Sequence, residues 1–144
     1  MNVHCFSEKE ASITALGEKI ASVSAAALKR RPGFSLVLAG GSTPRDLYGL
    51  LAGPPWQERI VWPQAHIFFG DERCVPPDHH DSNYRMVHQA LLSTAPVPPA
   101  HIHRIRGEDD PEMAAAAYQR CIQTTLPELS PGEPLFDIVL LGIG

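Results

Sequence analysis

The sequence has 144 residues, 44% of them hydrophobic and 19% charged, with 12 Lys plus Arg against 16 Asp plus Glu and a net charge of −4. That is the length of one domain, with enough apolar material for a packed core and too little charge for a disordered chain. The acidic balance argues against a nucleic-acid groove or a polybasic membrane surface, and no apolar run approaches the ~20 residues of a membrane span.

The first residues, Met1 to Glu8, lack the charged-then-apolar layout of a secretory leader. Cys5, Cys74 and Cys121 are far apart and odd in number, which fits a reducing, cytoplasmic setting and no disulfide framework. Ser7 followed by Glu10 reads as a capping box. Ile13, Leu16, Ile20, Val23 and Ala27 then recur at helical spacing, predicting an amphipathic helix over residues 8–30 that Pro32-Gly33 stops. Phe34 to Ala39 is a short apolar run that suits a strand buried on both faces. Gly40-Gly41-Ser42-Thr43-Pro44 follows, and Leu47, Leu50 and Leu51 resume the helical period.

The same grammar repeats. His66 to Phe69 reads as a strand ending at Gly70-Asp71-Glu72-Arg73. A polar loop with Pro76, Pro77, His79 and His80 leads to a helix marked by Tyr84, Val87, His88, Leu91 and Leu92, capped at Asp81 or Ser82. A proline-rich connector precedes a short strand near Ile102–Ile105. Asp110-Pro111-Glu112 is a cap with proline at the first helical position, and Ala114, Ala117, Tyr118, Cys121, Ile122 and Thr125 form the apolar stripe behind it. Pro131-Gly132 breaks that helix, and residues 136–143 form a final apolar strand.

Strands alternating with helices predict one α/β domain over residues 1–144, Rossmann-like, with a mostly parallel sheet covered by helices on both faces. Such sheets bind ligands beyond the carboxyl ends of their strands. Gly40-Gly41, Asp71-Glu72-Arg73 and Gly142-Ile143-Gly144 all fall at such ends and are expected to share one rim. The last strand has the composition of a central strand, yet no crossover helix follows it; the expectation is a fold interrupted after that strand.

Three groups of residues could carry chemistry. Glycines after a strand let a ligand approach the backbone, and the amides opening the next helix favour an anion. Ser42 and Thr43 add hydroxyl donors, while Asp46 in the same turn brings a competing charge. The turn is neither a P-loop nor a dinucleotide fingerprint, and the same residues would serve as a plain capped turn. Asp71 and Glu72, being adjacent, should point to opposite faces, one toward a site and one structural. Arg73 suits bidentate recognition of phosphate or carboxylate, and Asn83 is a cap or a substrate-binding amide. His79-His80 and His101-x-His103 lack a Cys or carboxylate at accompanying ligand spacing, so no metal is expected. Trp56 and Trp62 read as packing residues.

Four blocks in this order, Leu38-Ala39-Gly40-Gly41-Ser42-Thr43-Pro44, Phe69-Gly70-Asp71-Glu72-Arg73-Cys74-Val75-Pro76, Asp81-Ser82-Asn83-Tyr84 and the segment from Phe136 to Gly144, resemble the 6-phosphogluconolactonase family across essentially the whole chain. The related glucosamine-6-phosphate deaminases share the glycine turn but typically carry an aromatic residue where Arg73 stands. The resemblance implies a Rossmann-like fold and hydrolysis of 6-phosphoglucono-1,5-lactone in the pentose phosphate pathway, with no metal or organic cofactor. The partner it implies is a small sugar phosphate, with neither nucleic acid nor membrane. It places Gly41, Ser42, Thr43, Arg73 and Asn83 around the substrate and Asp71 in the catalytic machinery. In the family the last Gly-x-Gly runs into an Asp-Gly-His segment whose histidine is the expected general base, and this sequence ends at Gly144. The alternatives are a non-catalytic sugar-phosphate sensor and a deaminase-like isomerase.

Overall fold

In the computed structural model, which describes residues 3–130, 132 and 135–142, the alternation becomes a parallel sheet. The elements are α1 (Lys9–Leu28), β1 (Phe34–Leu38), α2 (Ser42–Ala52), a short α3 (Trp56–Arg59), β2 (Ala65–Phe69), α4 (Asn83–Val87) continued by a π-helical turn at His88–Leu92, β3 (Ile102–His103), α5 (Pro111–Leu129) and β4 (Ile138–Val139). The sheet order is β3-β2-β1-β4, and every pairing is parallel. Successive strands run outward from β1 through β2 to β3, and the chain then returns to place β4 on the other side of β1. The order therefore reverses between β1 and β4, the kind of crevice where open α/β sheets take ligands.

Alternate side chains of the two central strands feed two cores. Phe34, Leu36 and Leu38 of β1, with Ala65, Ile67 and Phe69 of β2, pack with Ile20 of α1, with Leu47 and Leu51 of α2, and with Trp56 and Trp62. On the opposite face Val37 and Phe68 meet Leu126, Tyr118 and Ile122 of α5, with Phe136 beside them. Helices thus cover both faces, and the two tryptophans are packing residues as read.

Two local expectations fail. The Ser7–Glu10 capping box does not form: Glu8 occupies the N-cap of α1 and makes no side-chain cap. The final strand is also much shorter than its apolar run, with only Ile138 and Val139 in register against Leu36 and Val37. It lies at one end of the four-stranded order, so it has one neighbour where a central strand has two. Val139 is 46% and Leu141 80% exposed, while Leu140 returns to the core and its amide donates to Val37 O (3.0 Å). Ile143 and Gly144 lie outside the described residues.

A side chain does the work of the missing ladder. Asp137 Oδ2 accepts from the Ser35 amide (2.8 Å) and hydroxyl (3.1 Å), and the Asp137 amide donates back to Ser35 Oγ (3.0 Å). Its other oxygen pairs with Arg31, and the two side chains are only 14% and 6% exposed. Asp110, in contrast, caps α5 as read, accepting from the amides of Glu112 and Met113, with Pro111 at the first helical position. Ser82 caps α4 by accepting from the Arg85 amide.

His101 and His103 pack with a third imidazole. His66 of β2 stacks on His101 at 3.9 Å between ring centres, and its Nδ1 lies 3.1 Å from His103 Nε2. His103 stacks on Phe68 at 4.5 Å, and its Nδ1 lies 3.4 Å from Cys121 Sγ on α5. Both nitrogens of His103 are engaged by neighbours. Burial, and then the neighbouring His101 and His103, push the His66 imidazole down to about 4.

Two outcomes follow from this packing. Asp137→Ala strands Arg31 in a half-buried site and is expected to cost about 3–5 kcal/mol in urea denaturation, whereas Asp46→Ala, which breaks the exposed Lys9–Asp46 pair, should cost no more than about 1 kcal/mol. His66 binds its proton less readily folded than unfolded, where an imidazole titrates near 6.5; the unfolded chain therefore holds more protons between these values. Stability should fall as pH is lowered from about 6.5 toward about 4, and His66→Gln should flatten that profile.

Candidate functional site

The rim begins where β1 hands over to α2. Tyr48, fully buried on α2, reaches back to the first residue after β1: its hydroxyl accepts from the Ala39 amide (2.9 Å) and donates to the Ala39 carbonyl (2.8 Å). Gly40 and Gly41 come next, and each is glycine for its own reason. Gly41 has φ 107°, which strains any residue with a Cβ. Gly40 makes room, since a Cβ there would lie 2.1 Å from Asn83 Oδ1.

Gly41 is the N-cap of α2 and no side chain caps the helix start. Pro44 has no amide hydrogen, and the Arg45 amide returns to Gly41 O (3.2 Å). The Ser42 and Thr43 amides open the helix with no intrahelical acceptor, and both residues are exposed. Asp46, the competing charge of this turn, is met by Lys9 Nζ at 2.5 Å, and that bond holds its carboxyl below the ordinary range.

β2 ends in a matching way. The Tyr118 hydroxyl, presented by α5, accepts from the Phe69 amide (2.8 Å) and donates to the Phe69 carbonyl (2.9 Å), and burial raises this phenol to about 12. Beyond it Asp71 and Glu72 divide as adjacent extended residues should. Glu72 is structural: Oε1 accepts from the amides of Arg73 (2.8 Å) and Asn83 (2.7 Å), and Oε2 from the Tyr84 amide (2.9 Å) and the Ser82 hydroxyl (3.1 Å). Asp71 is exposed on the rim. Asn83 is buried, and its amide group donates to the Asp71 carbonyl (3.1 Å) and to Asp71 Oδ1 (3.2 Å).

The structure thus gathers Gly40, Asp71 and Asn83 into direct contact, with Gly41, Ser42 and Thr43 continuing from Gly40. Arg73 is exposed beyond the same strand end. It lines a cavity of about 410 Å³ on the α5 side, with Arg106, Gly107, Tyr118, Gln119 and Ile122 among its walls. Gly41, Ser42 and Thr43 do not line that cavity. The backbone under Arg73 is clamped by Gly107, where a Cβ would fall 2.2 Å from Arg73 O. Of the Gly142-Ile143-Gly144 segment only Gly142 is described.

The loop between Arg73 and α4 departs from its sequence reading in one respect. The two histidines there do acquire a carboxylate: His79, His80 and Asp81 each place one ligand-type atom within 4.8 Å of the others. His79 Nδ1 accepts from the Asp81 amide (3.2 Å), so this is a hydrogen-bonded surface turn. The work of Glu72, Tyr48 and Tyr118 was not read from the sequence. The available signal was the two strand ends, whose last amide and carbonyl need partners once the ladder stops.

The glucosamine-6-phosphate isomerase/6-phosphogluconolactonase family profile matches residues 7–144. The chain is 40% identical over 144 residues to a 6-phosphogluconolactonase of Treponema pallidum, covering 100% of this chain and 57% of that protein. It is 41% identical over 120 residues to one from a Nostoc species, covering 82% of this chain and 48% of that one. Among solved structures, the 6-phosphogluconolactonase of Thermotoga maritima superposes with a TM-score of 0.78 at 31% identity, over 92% of this chain and 56% of that one. A monomeric glucosamine-6-phosphate deaminase, at 22% identity and a TM-score of 0.72 over 86% of this chain and 51% of that one, shares the fold. The chain spans about half the length of these relatives. Among the described residues no helix is long and apolar enough to cross a membrane.

The Gly40–Asn83 contact can be tested by a double-mutant cycle. Gly40→Ala is expected to destabilise by about 1–3 kcal/mol through overpacking, and Asn83→Ala, which removes the atoms a new Cβ would strike, should recover part of that cost. Additive losses in urea denaturation would separate the two residues.

Proposed function

Because the chain belongs to the glucosamine-6-phosphate isomerase/6-phosphogluconolactonase family, we propose that it supplies the sugar-phosphate-binding rim of an enzyme that hydrolyses 6-phosphoglucono-1,5-lactone to 6-phosphogluconate. The observation that carries this reading is the contact of Asn83 with both Gly40 and Asp71, at the strand ends beside the point where the sheet order reverses. It joins a turn suited to an anion with an exposed carboxylate, while the neighbouring carboxylate is occupied in holding the frame.

The roles follow from the chemistry of each group. The amides and hydroxyls of Ser42 and Thr43, opened by Gly41, hold the phosphate at the positive end of α2. Arg73, whose guanidinium is permanently charged, meets the anionic substrate from the β2 side. A lactone is an activated ester, so ring opening needs a positioned water, an acceptor for its proton and donors for the developing oxyanion. Asp71 takes the place nearest that water, and Asn83, whose amide is spent on Asp71, fixes that carboxylate's direction. Phosphate binding away from the reacting carbonyl then holds the ring in register. The reaction in this scheme takes place in the cytoplasm.

Lactonase rather than deaminase chemistry is favoured by Arg73 and the Ser82-Asn83-Tyr84 block, and by the names of the relatives near 40% identity. 6-Phosphogluconate is expected to move the amide resonances of Gly41, Ser42 and Thr43, and Arg73→Ala to weaken its binding by about tenfold, the loss of one charge-assisted contact. In the enzyme to which this rim belongs, one that also carries the family's histidine base, Asp71→Asn should lower lactone turnover by about a hundredfold with little change in 6-phosphogluconate affinity, measured after correction for spontaneous opening. Ammonia release from glucosamine 6-phosphate without lactone hydrolysis would overturn the reading.

A further inference from the structure

A second basic feature lies on the helical side of the rim. Arg45 of α2, Arg85 of α4, His80 and Gln89 line a groove of about 480 Å³ floored by Met86 and Ala90. No acidic side chain lines it. Among the described residues Arg31, Arg59, Arg104 and Arg106 each have a carboxylate partner, whereas Arg45 and Arg85, like Arg30, Arg73 and Arg120, have none within ion-pair distance. His80 Nε2 has Asp81 Oδ2 at 3.5 Å, and Arg45 acts electrostatically on Asp46, whose carboxylate is held mainly by Lys9.

In a chain of net charge −4, two guanidiniums set around one groove without an acid between them repel each other until an anion joins them. Two planar forks suit the several oxygens of a phosphate, and Gln89 adds an amide donor. Met86 and Ala90 offer apolar surface to whatever carries the phosphate. We propose that this groove binds the phosphate group of a small metabolite other than the sugar phosphate of the rim, gripped between Arg45 and Arg85.

The consequence is a link between helices. α2 begins with Ser42 and Thr43, and α4 begins with Asn83, so a ligand joining Arg45 to Arg85 ties together the two helices whose first residues form the rim. None of Gly41, Ser42, Thr43, Asp71, Arg73 or Asn83 lines the groove, so this inference stands apart from the lactonase reading.

Calorimetric titration of the chain with inorganic pyrophosphate at low ionic strength tests it. Arg45→Gln/Arg85→Gln should weaken binding by at least about tenfold, and Arg85→Lys, which keeps charge but loses the fork, by less. Saturating 6-phosphogluconate, which fills the rim and keeps pyrophosphate from it, should leave this binding event in place. Equal affinity in the double Gln variant, or no binding by the native chain, would overturn the proposal. Displacement by 6-phosphogluconate would do so too, making the groove the seat of the sugar phosphate itself. An effect of Arg73→Ala on 6-phosphogluconate alone would leave the groove intact and speak only to the rim.

Discussion

The rim is held in place by one carboxylate. Glu72 sits half-buried at the end of β2 and takes hydrogen bonds from three amides and a hydroxyl on both of its oxygens. A charge drawn out of water is tolerated there because its acceptor sites are filled. The effect is to bring residues 82–84 against the strand end, across a loop of polar residues and prolines that has little apolar surface of its own to dock. Only then can Asn83 enter the space that Gly40 leaves, and only then does Asp71 have a fixed neighbour. The two acids of Asp71-Glu72 have separated into one that builds and one that is presented.

That arrangement depends on the sheet beneath it. β1 and β2 pair over five residues each, feed both cores, and end in residues clasped by tyrosines from opposite faces. β4 joins only through two residues of register and through Asp137, whose carboxylate and amide bind Ser35 in place of a longer ladder. A polar side chain thus tethers β4 at the side of β1 where the strand order reverses.

Much of this was legible in the residues. The helical period of Ile13, Leu16 and Ile20, the apolar strands, and the caps Ser82 and Asp110 are local signals, and local physics decides them. The parallel order followed from alternation, and the convergence of the Gly40 turn with the Asp71 strand end followed from the parallel order. What escaped was set by partners distant in sequence. Gly40-Gly41 looked like one flexible turn, but Gly40 answers to Asn83 and only Gly41 to its own backbone. Ser7 and Glu10 have the spacing of a capping box, yet the helix starts one residue later with Glu8 at its cap. The apolar segment 136–143 reads as a full strand because composition reports hydrophobicity and not the number of neighbours. Arg73 also lines a cavity on the α5 side, with Gly107 packed against its backbone, and no spacing reveals that contact.

The paired tyrosines carry a further implication. Tyr48 and Tyr118 secure the ends of the central strands through uncharged hydroxyls, each giving one hydrogen and receiving another. The scaffold at these two strand ends therefore contributes dipoles and no net charge. Salt, which screens charges far more than short neutral hydrogen bonds, should loosen a ligand without loosening the frame. Changes of charge at the mouth can likewise retune what enters while the strand ends stay where they are.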